Sequence, residues 1–532
     1  MDPDVIAFYT PPTVRRLVTS SAVMVLAQAA GVLALFASTP FVIDRLGEEG
    51  YGAWELLLIF QSAAFIFHNV IRGTLIWQLS LCYGKGDHEE VCRLIRVACT
   101  AILATATLAI PLAILLSPQI TSFLGLQDPW KAELQVLIPA VLSVAFLSGI
   151  NHSLLALITA YQKAGQAAII QSLGGVLTSM IAIAMLLSGF GMPSLLVGML
   201  AASIAVATIA HRAASRLLGN ISILPALPTR ADIGLLGPFA FMLLITNITV
   251  LSRDPIDKFL AASMGGLYGI ADLSLASRLA SLSLQVSAVM LTPFTAAAGA
   301  LWGRNDWTGC VRLYERIGLL VAIAAGMAAF LTHVLRAPLL TLWVGETRSG
   351  AYPYLTLLLV AGFLAIAYSG IGVSMAKAMG RPGIETEYAL VTLVLVLATK
   401  PLLAGIAGPV GAVASSTISW GIGSAYLAYI VMTRLHLPPQ MIYSVNRVVI
   451  VTLGLLLVAS PRIGDALPMV TTRVQAAGLL VVMIPILGAL YSFALLTTKF
   501  VFDWIAPVPH RTISAVVESQ LSSEGNRHAR AA

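Results

Sequence analysis

Apolar residues run along this chain in long blocks, without the strict alternation of half-buried strands or the one-sided stripes of soluble helices. A bilayer core of about 30 Å is crossed by roughly 20 apolar residues in a helix. On that criterion fourteen spans are predicted: 18–43, 54–80, 94–117, 134–158, 165–188, 193–213, 234–252, 266–300, 317–335, 354–378, 386–406, 408–432, 446–460 and 475–499. The stretch 446–460 is short for a span, and 266–300 is long enough to be tilted, kinked or partly outside the membrane. The longest polar stretch is the tail Ala506–Ala532, whose Ser, Glu and Arg content predicts disorder rather than a soluble domain.

Composition strengthens that picture. The chain has 532 residues, 58% hydrophobic and 10% charged, whereas soluble domains carry about 25% charged residues. A polytopic all-α membrane protein is therefore expected, not a soluble protein with a large core. Arg15 and Arg16 precede an apolar run too long for a signal-peptide core, so a retained first helix is expected.

Charge sets the orientation. With the N-terminus inside, cytoplasmic segments hold 20 of the 31 Lys and Arg residues, which predicts cytoplasmic termini and an even number of spans. Positive-inside loops account for the net charge of +7, so no nucleic-acid partner is implied. The four cysteines (Cys82, Cys92, Cys99 and Cys310) fall near predicted cytoplasmic helix ends and are expected as free thiols. Cys82, His88 and Cys92 match no common zinc spacing, and nothing in the pattern calls for a metal or cofactor.

A phrase occurs twice, about 217 residues apart. DRLGEEGYGAWE from Asp44 is followed by an apolar run and Tyr83-Gly84-Lys85-Gly86-Asp87. DKFLAASMGGLYGIAD from Asp257 is followed by another run and Trp302-Gly303-Arg304-Asn305-Asp306. Tyr51-Gly52 answers Tyr268-Gly269, Glu55 answers Asp272, and Cys92-Arg93-Leu94 answers Cys310-Val311-Arg312-Leu313. Shared helix-capping chemistry could produce part of this echo; a repeat spanning two loops favours duplicated halves. Six spans separate the copies, so the halves keep one orientation.

The segments LGEEGYGAW, YGKGDHEEVCRLIR, ALITAYQKAG and DKFLAASMGGLYGIADLSLASRL resemble the polysaccharide-transporter branch of the multidrug/oligosaccharidyl-lipid/polysaccharide exporter superfamily, over roughly residues 15–500. Its members include Wzx-type flippases of lipid-linked oligosaccharides. The resemblance implies an all-α integral membrane protein with about fourteen transmembrane helices: two pseudo-symmetric six-helix lobes around a central cavity, plus two C-terminal helices. The corresponding division is a cytoplasmic N-terminus 1–17, an N-lobe 18–217, a cytoplasmic linker 218–233, a C-lobe 234–433, two further spans in 434–505 and a cytoplasmic tail 506–532.

Ionisable groups inside spans are costly and usually face a cavity or a partner. In the eighth span Ser274, Arg278, Ser281, Gln285 and Thr292 share one helix face, and in the second Gln61, His68 and Arg72 share another. The repeat register sets Gln61 opposite Arg278. Two polar stripes lining one cavity would spare both from lipid. Guanidinium groups suit the diphosphate of an isoprenoid-linked sugar, with Ser and Gln available to its hydroxyls. The alternative is internal ion pairing, with Asp272 near Arg278 and Glu55 reaching Arg72. The run Arg253-Asp254-Pro255-Ile256-Asp257-Lys258 reads as a solvated turn or an ion-pair gate at the outer interface, and Lys400 beside Pro401 as snorkelling outward. His68 and His152 read more readily as hydrogen-bonded structure than as proton relays.

No Walker-type GxxxxGK[ST] is present, which argues against ATP-driven pumping. The first span carries no carboxylate, which counts against a drug/cation antiporter of the same superfamily. A membrane enzyme of polysaccharide assembly is a weaker alternative, because no catalytic cluster stands out. The expectation is a monomeric, non-enzymatic flippase of the bacterial inner membrane. Its substrate would be a lipid-linked oligosaccharide, with membrane lipid around it and a glycosyltransferase or polymerase as possible partners.

Overall fold

The computed structural model describes residues 14–505 apart from residues 86, 162, 220–223, 252, 290, 304–305, 347, 382, 436–438, 457–466 and 469. Among the described residues the chain is helical with no strand. The helices are α1 (Val14–Lys85), α2 (His88–Phe123), α3 (Trp130–Ala160), α4 (Ala164–Leu187), α5 (Pro193–Leu218), α6 (Arg230–Leu251), α7 (Arg253–Val289) and α8 (Leu291–Gly303). They continue as α9 (Trp307–Val334), α10 (Arg336–Val344), α11 (Tyr352–Leu364), α12 (Ile371–Ala378), α13 (Gly383–Arg434), α14 (Pro439–Gly454) and α15 (Arg473–Ile505).

Two helices are too long for one crossing. At 1.5 Å per residue, the 72 residues of α1 would make a rod of about 108 Å, and the 52 of α13 about 78 Å. Each is divided by a glycine: Gly47 (φ 72°, ψ 178°) in α1 and Gly408 (φ 59°, ψ −144°) in α13. Gly266 (φ 64°, ψ −162°) divides α7 in the same way. This backbone region is essentially reserved for glycine, because a Cβ would be strained there.

Among the described residues, ten helical segments are long and apolar enough to cross a membrane. Counting the two divided helices twice and adding the shorter apolar helices Ala240–Thr249 and Val445–Gly454 gives fourteen spans. The predicted spans fall on these helices, with 266–300 shared by α7 and α8. The prediction 446–460 extends beyond Leu456 into residues outside the described set, as do the N-terminal segment before Val14 and the tail after Ile505. Long apolar side chains such as Leu108, Leu115, Leu402 and Ile406 are exposed, as lipid-facing positions require.

Contacts divide the chain into two compact units. The first runs to Arg278 and includes Ala389–Ser416; the second comprises Leu279–Tyr388 and the residues from Thr417 onward. The first unit takes in the start of α7 and the middle of α13.

In the first unit, Leu75 and Leu79 of α1 pack with Leu94 and Ile95 of α2, Leu154 and Leu157 of α3, Ile170 of α4 and Ala210 of α5. Asp87 caps α2 by accepting from the Glu90 N–H at 3.0 Å. The segment before α6 is pinned along α2. Arg96 donates to the Leu224 carbonyl at 3.0 Å, and Thr100 to that of Ala226 at 2.7 Å. Arg93 pairs with Asp232 at 2.6 Å. Thr229 and Asp232 form a reciprocal cap at the start of α6: the Thr229 N–H donates to the carboxylate at 2.7 Å, and the Asp232 N–H to the hydroxyl at 3.3 Å.

In the second unit, Asp306 caps α9 by accepting from the Gly309 N–H at 2.8 Å. Its backbone (φ −86°, ψ 76°) nearly repeats that of Asp87 (φ −87°, ψ 83°), so the echoed Gly-Asp phrases end in the same local structure. Gly326 of α9 leaves room for Tyr491 and Thr452, whose hydroxyls lie 2.7 Å apart. That contact seats α14 and α15 against α9. A π-helical turn at Ala365–Gly370 joins α11 to α12, and its Tyr368 hydroxyl donates to Asn446 at 2.5 Å.

Candidate functional site

Besides the Arg93–Asp232 pair at the start of α6, two buried charge clusters among the described residues of the first unit each lie about eight residues, or about 12 Å of helix, from a glycine break. Glu55 lies eight residues after Gly47, Lys258 eight before Gly266, and Lys400 and Ser416 eight on either side of Gly408. Since the breaks divide neighbouring spans, Glu55, Lys400 and Ser416 fall within the helices, while Lys258 lies in the second turn of α7.

Glu55, with no exposed surface, is the centre of the larger cluster. One carboxylate oxygen accepts from the Arg278 guanidinium, and the other pairs with Lys258 at 3.0 Å. Arg278 also donates to the Thr39 hydroxyl at 2.7 Å and lies 5.6 Å from the centre of the Tyr51 ring. Lys258 pairs in addition with Asp254 at 3.0 Å, and Asp254 accepts from Ser277 at 2.9 Å. Glu55 and Asp254 against Lys258 and Arg278 make a neutral quartet. Charges taken out of water are tolerable only when paired and hydrogen-bonded in this way.

Asp257, one position from Lys258, turns to different partners because successive helical residues diverge by about 100°. It pairs with Lys400 at 2.5 Å and accepts from Ser416 on both oxygens, at 3.2 and 3.0 Å. Asp257 and Lys400 are both buried. The first segment of α7 is thereby held on one side by α1 and on another by α13.

Three sequence expectations are corrected. Lys400 does not snorkel outward, because Asp257 offers it a buried counter-charge. Glu55 does not reach Arg72; its carboxylate is taken by Arg278 and Lys258, while Arg72 donates to Gln171 at 3.4 Å. The run from Arg253 to Lys258 is not a solvated turn: it forms the start of α7, with Pro255 in the first turn where its missing N–H costs nothing. The Arg253 side chain lies outside the described residues, as does that of Thr292.

The two polar stripes part company. Ser274 is buried one turn before Arg278, and Asp272 is half-buried; Ser281 is exposed and Gln285 half-buried in the second unit. Gln61 and His68 instead line a cavity of about 220 Å³ among α1, α3, α4 and α5, with Phe65, Asn151, His152 and Gln171. Asn151 donates to the Ser203 carbonyl at 2.9 Å, and the Ser148 and Ser203 hydroxyls lie 2.8 Å apart. The His68 and His152 ring centres are 6.2 Å apart. No carboxylate is among the lining residues. Asn151 and Gln171 carry no signal in the sequence beyond being lone amides in apolar runs. His88 makes a hydrogen bond with Tyr161 at 3.2 Å.

No protein-family model matches the chain, and no curated protein matches it. Solved structures do. The lipid II flippase MurJ in an inward closed conformation is similar at 15% identity, over 90% of this chain and 98% of that one, with a TM-score of 0.66. An inward-facing multidrug resistance MATE family transporter of the MOP superfamily is similar at 14% identity over 76% and 94%, TM-score 0.62. A MOP superfamily transporter from Pyrococcus furiosus is similar at 15% identity over 82% and 98%, TM-score 0.58. Identity this low speaks to architecture alone: the chain has an all-helical fold of the kind seen in MATE and MurJ transporters.

Proposed function

We propose that the chain is a flippase for an isoprenoid-diphosphate-linked oligosaccharide. It would act by alternating access in the bacterial inner membrane, with both termini cytoplasmic, and serve the assembly or export of surface polysaccharide. The observation that carries this reading is the neutral quartet of Glu55, Asp254, Lys258 and Arg278, where α1 meets α7 within the first unit. Buried ion pairs add little net stability, since desolvation offsets their attraction. Their value lies in having two well-defined states, paired and exchanged. Opening the quartet would free Arg278 and Lys258 for the diphosphate, an anion able to replace Glu55 as their partner. In this cycle the two six-span lobes rock about the site while the isoprenoid tail stays in lipid.

One feature favours this substrate over a drug or cation. The polar cavity in the first unit is lined by amides, hydroxyls and imidazoles without a carboxylate to hold a cation.

The test is depletion of the protein in a host that depends on it for surface glycan. Lipid-linked oligosaccharide should accumulate on the cytoplasmic face, and re-expression should clear it. Normal glycan export with new sensitivity to cationic drugs would replace this reading with the antiporter.

A further inference from the structure

We propose that the cavity among α1, α3, α4 and α5 is a binding site for one glycan ring bearing an acidic group. The proposal rests on the glycan-transport reading and deepens it by naming a subsite.

Size decides first. Drug-sized ligands occupy about 300–1,000 Å³, and the cavity holds about 220 Å³. That suits one polar ring rather than a whole headgroup. Chemistry decides next. Asn151 Oδ1, His68 Nε2 and His152 Nδ1 are buried without a hydrogen-bond partner. His68 is 3% exposed and Asn151 4%, so their residues are closed off from solvent. Native structures pair nearly all such atoms, and a group left unpaired is destabilising. The three belong to residues lining one cavity. Asn151 Oδ1 accepts only, while each imidazole nitrogen can accept or donate by choice of tautomer. A set of this kind matches ring hydroxyls, which do both. Phe65, 5.5 Å from His152 in an edge-on arrangement, adds an apolar surface for the C–H face of a sugar.

The acidic group follows from Arg72. Its hydrogen bond goes to the neutral Gln171, which lines the cavity, and it has no ion-pair partner among the described residues. An unbalanced guanidinium within a span calls for an anion. A carboxylate or phosphate ester on the ring would supply one beside Gln171.

The experiment uses the purified full chain, with thermal midpoint as the readout. The probes are glucuronic acid, glucose, inorganic phosphate, and vesicles carrying an isoprenoid-diphosphate-linked acidic glycan. Glucuronic acid should raise the midpoint saturably, glucose at least tenfold more weakly, and inorganic phosphate not at all. Ala202→Leu, which fills the cavity without removing a polar group, should abolish the shift. His68→Phe keeps a ring in place and removes the unpaired nitrogen. It should raise the midpoint of the free protein and lower glucuronic acid affinity at least tenfold. Arg72→Gln should erase the preference for glucuronic acid over glucose. Protection by the vesicles that Ala202→Leu removes would identify the lipid headgroup as the source of the ring; protection by glucuronic acid alone would assign a free acidic sugar. The proposal is overturned if phosphate protects as well as glucuronic acid, if Ala202→Leu binds like the native chain, or if no probe shifts the midpoint. Lost protection with glycan export intact refutes the pocket alone. Intact protection without accumulation of lipid-linked glycan on depletion refutes the flippase alone.

Discussion

Gly52 lies against the backbone carbonyl of Leu267 so closely that a Cβ at position 52 would overlap it. Each residue belongs to one copy of the repeated phrase, so the two copies meet in space. Glu55 and Arg278, which pair, sit about one and three turns beyond this crossing. Gly52→Ala should push α1 away from α7 and weaken that pair. The stability lost on Glu55→Gln should be smaller in the Gly52→Ala background, and transport should fall. An unchanged loss would show that the crossing does not govern the pair.

Glu55→Gln leaves two buried cations sharing one half-exposed carboxylate. Removing one partner of a buried pair costs about 3–5 kcal/mol, and denaturant or thermal unfolding in detergent should show a loss of that order. The double variant Glu55→Gln with Arg278→Gln should be less destabilised than the two single losses added together, because the groups touch. Additive losses would mean that the pair is not energetically coupled.

Lys400→Met should likewise be destabilising, since it removes the buried counter-charge of the Asp257 carboxylate. Adding Asp257→Asn should restore most of the loss, as neutral replacement of a buried pair is often near neutral. If Lys400→Met alone retains native stability, Asp257 is reached by water or by another cation.

Asp232 offers a pH test outside the spans. Burial would raise its carboxyl, but the hydrogen bonds from Thr229 and the Arg93 guanidinium outweigh that and hold it below its ordinary value. A lowered folded pKa means stability that is present above the ordinary Asp pKa of about 3.9 and lost as pH falls through the folded value. Asp232→Asn should therefore be less stable than the native chain at neutral pH, with the gap closing in acid. A gap independent of pH would assign the effect to capping geometry instead.

Much of the architecture was legible from the chain. Span-length apolar blocks dictate helices because lipid offers no partner for backbone N–H and C=O groups. Each repeated Gly-Asp phrase marks a capped helix start, because the carboxylates of Asp87 and Asp306 satisfy N–H groups only three residues away. These are local effects, and local sequence suffices for them. The glycine breaks were less legible: Gly47 and Gly408 divide helices that hydropathy had split nearby, but no pattern singled out which glycine takes positive φ.

Partner choice was not local. The register of the repeat set Arg278 opposite Gln61, which lines a cavity that Arg278 does not. Asp272 and Glu55 hold equivalent places in the repeat, but Glu55 is fully buried and Asp272 half-buried. Lys400 read as an interfacial lysine because its counter-charge, Asp257, lies 143 residues away. The sequence by itself determined the helices and the caps at Asp87 and Asp306, since both follow from local hydrogen bonding. Only the tertiary structure decided which charge hides against which. That choice depends on helix rotation and crossing distance, and at Gly52 and Leu267 these are set by contact between residues far apart in the chain.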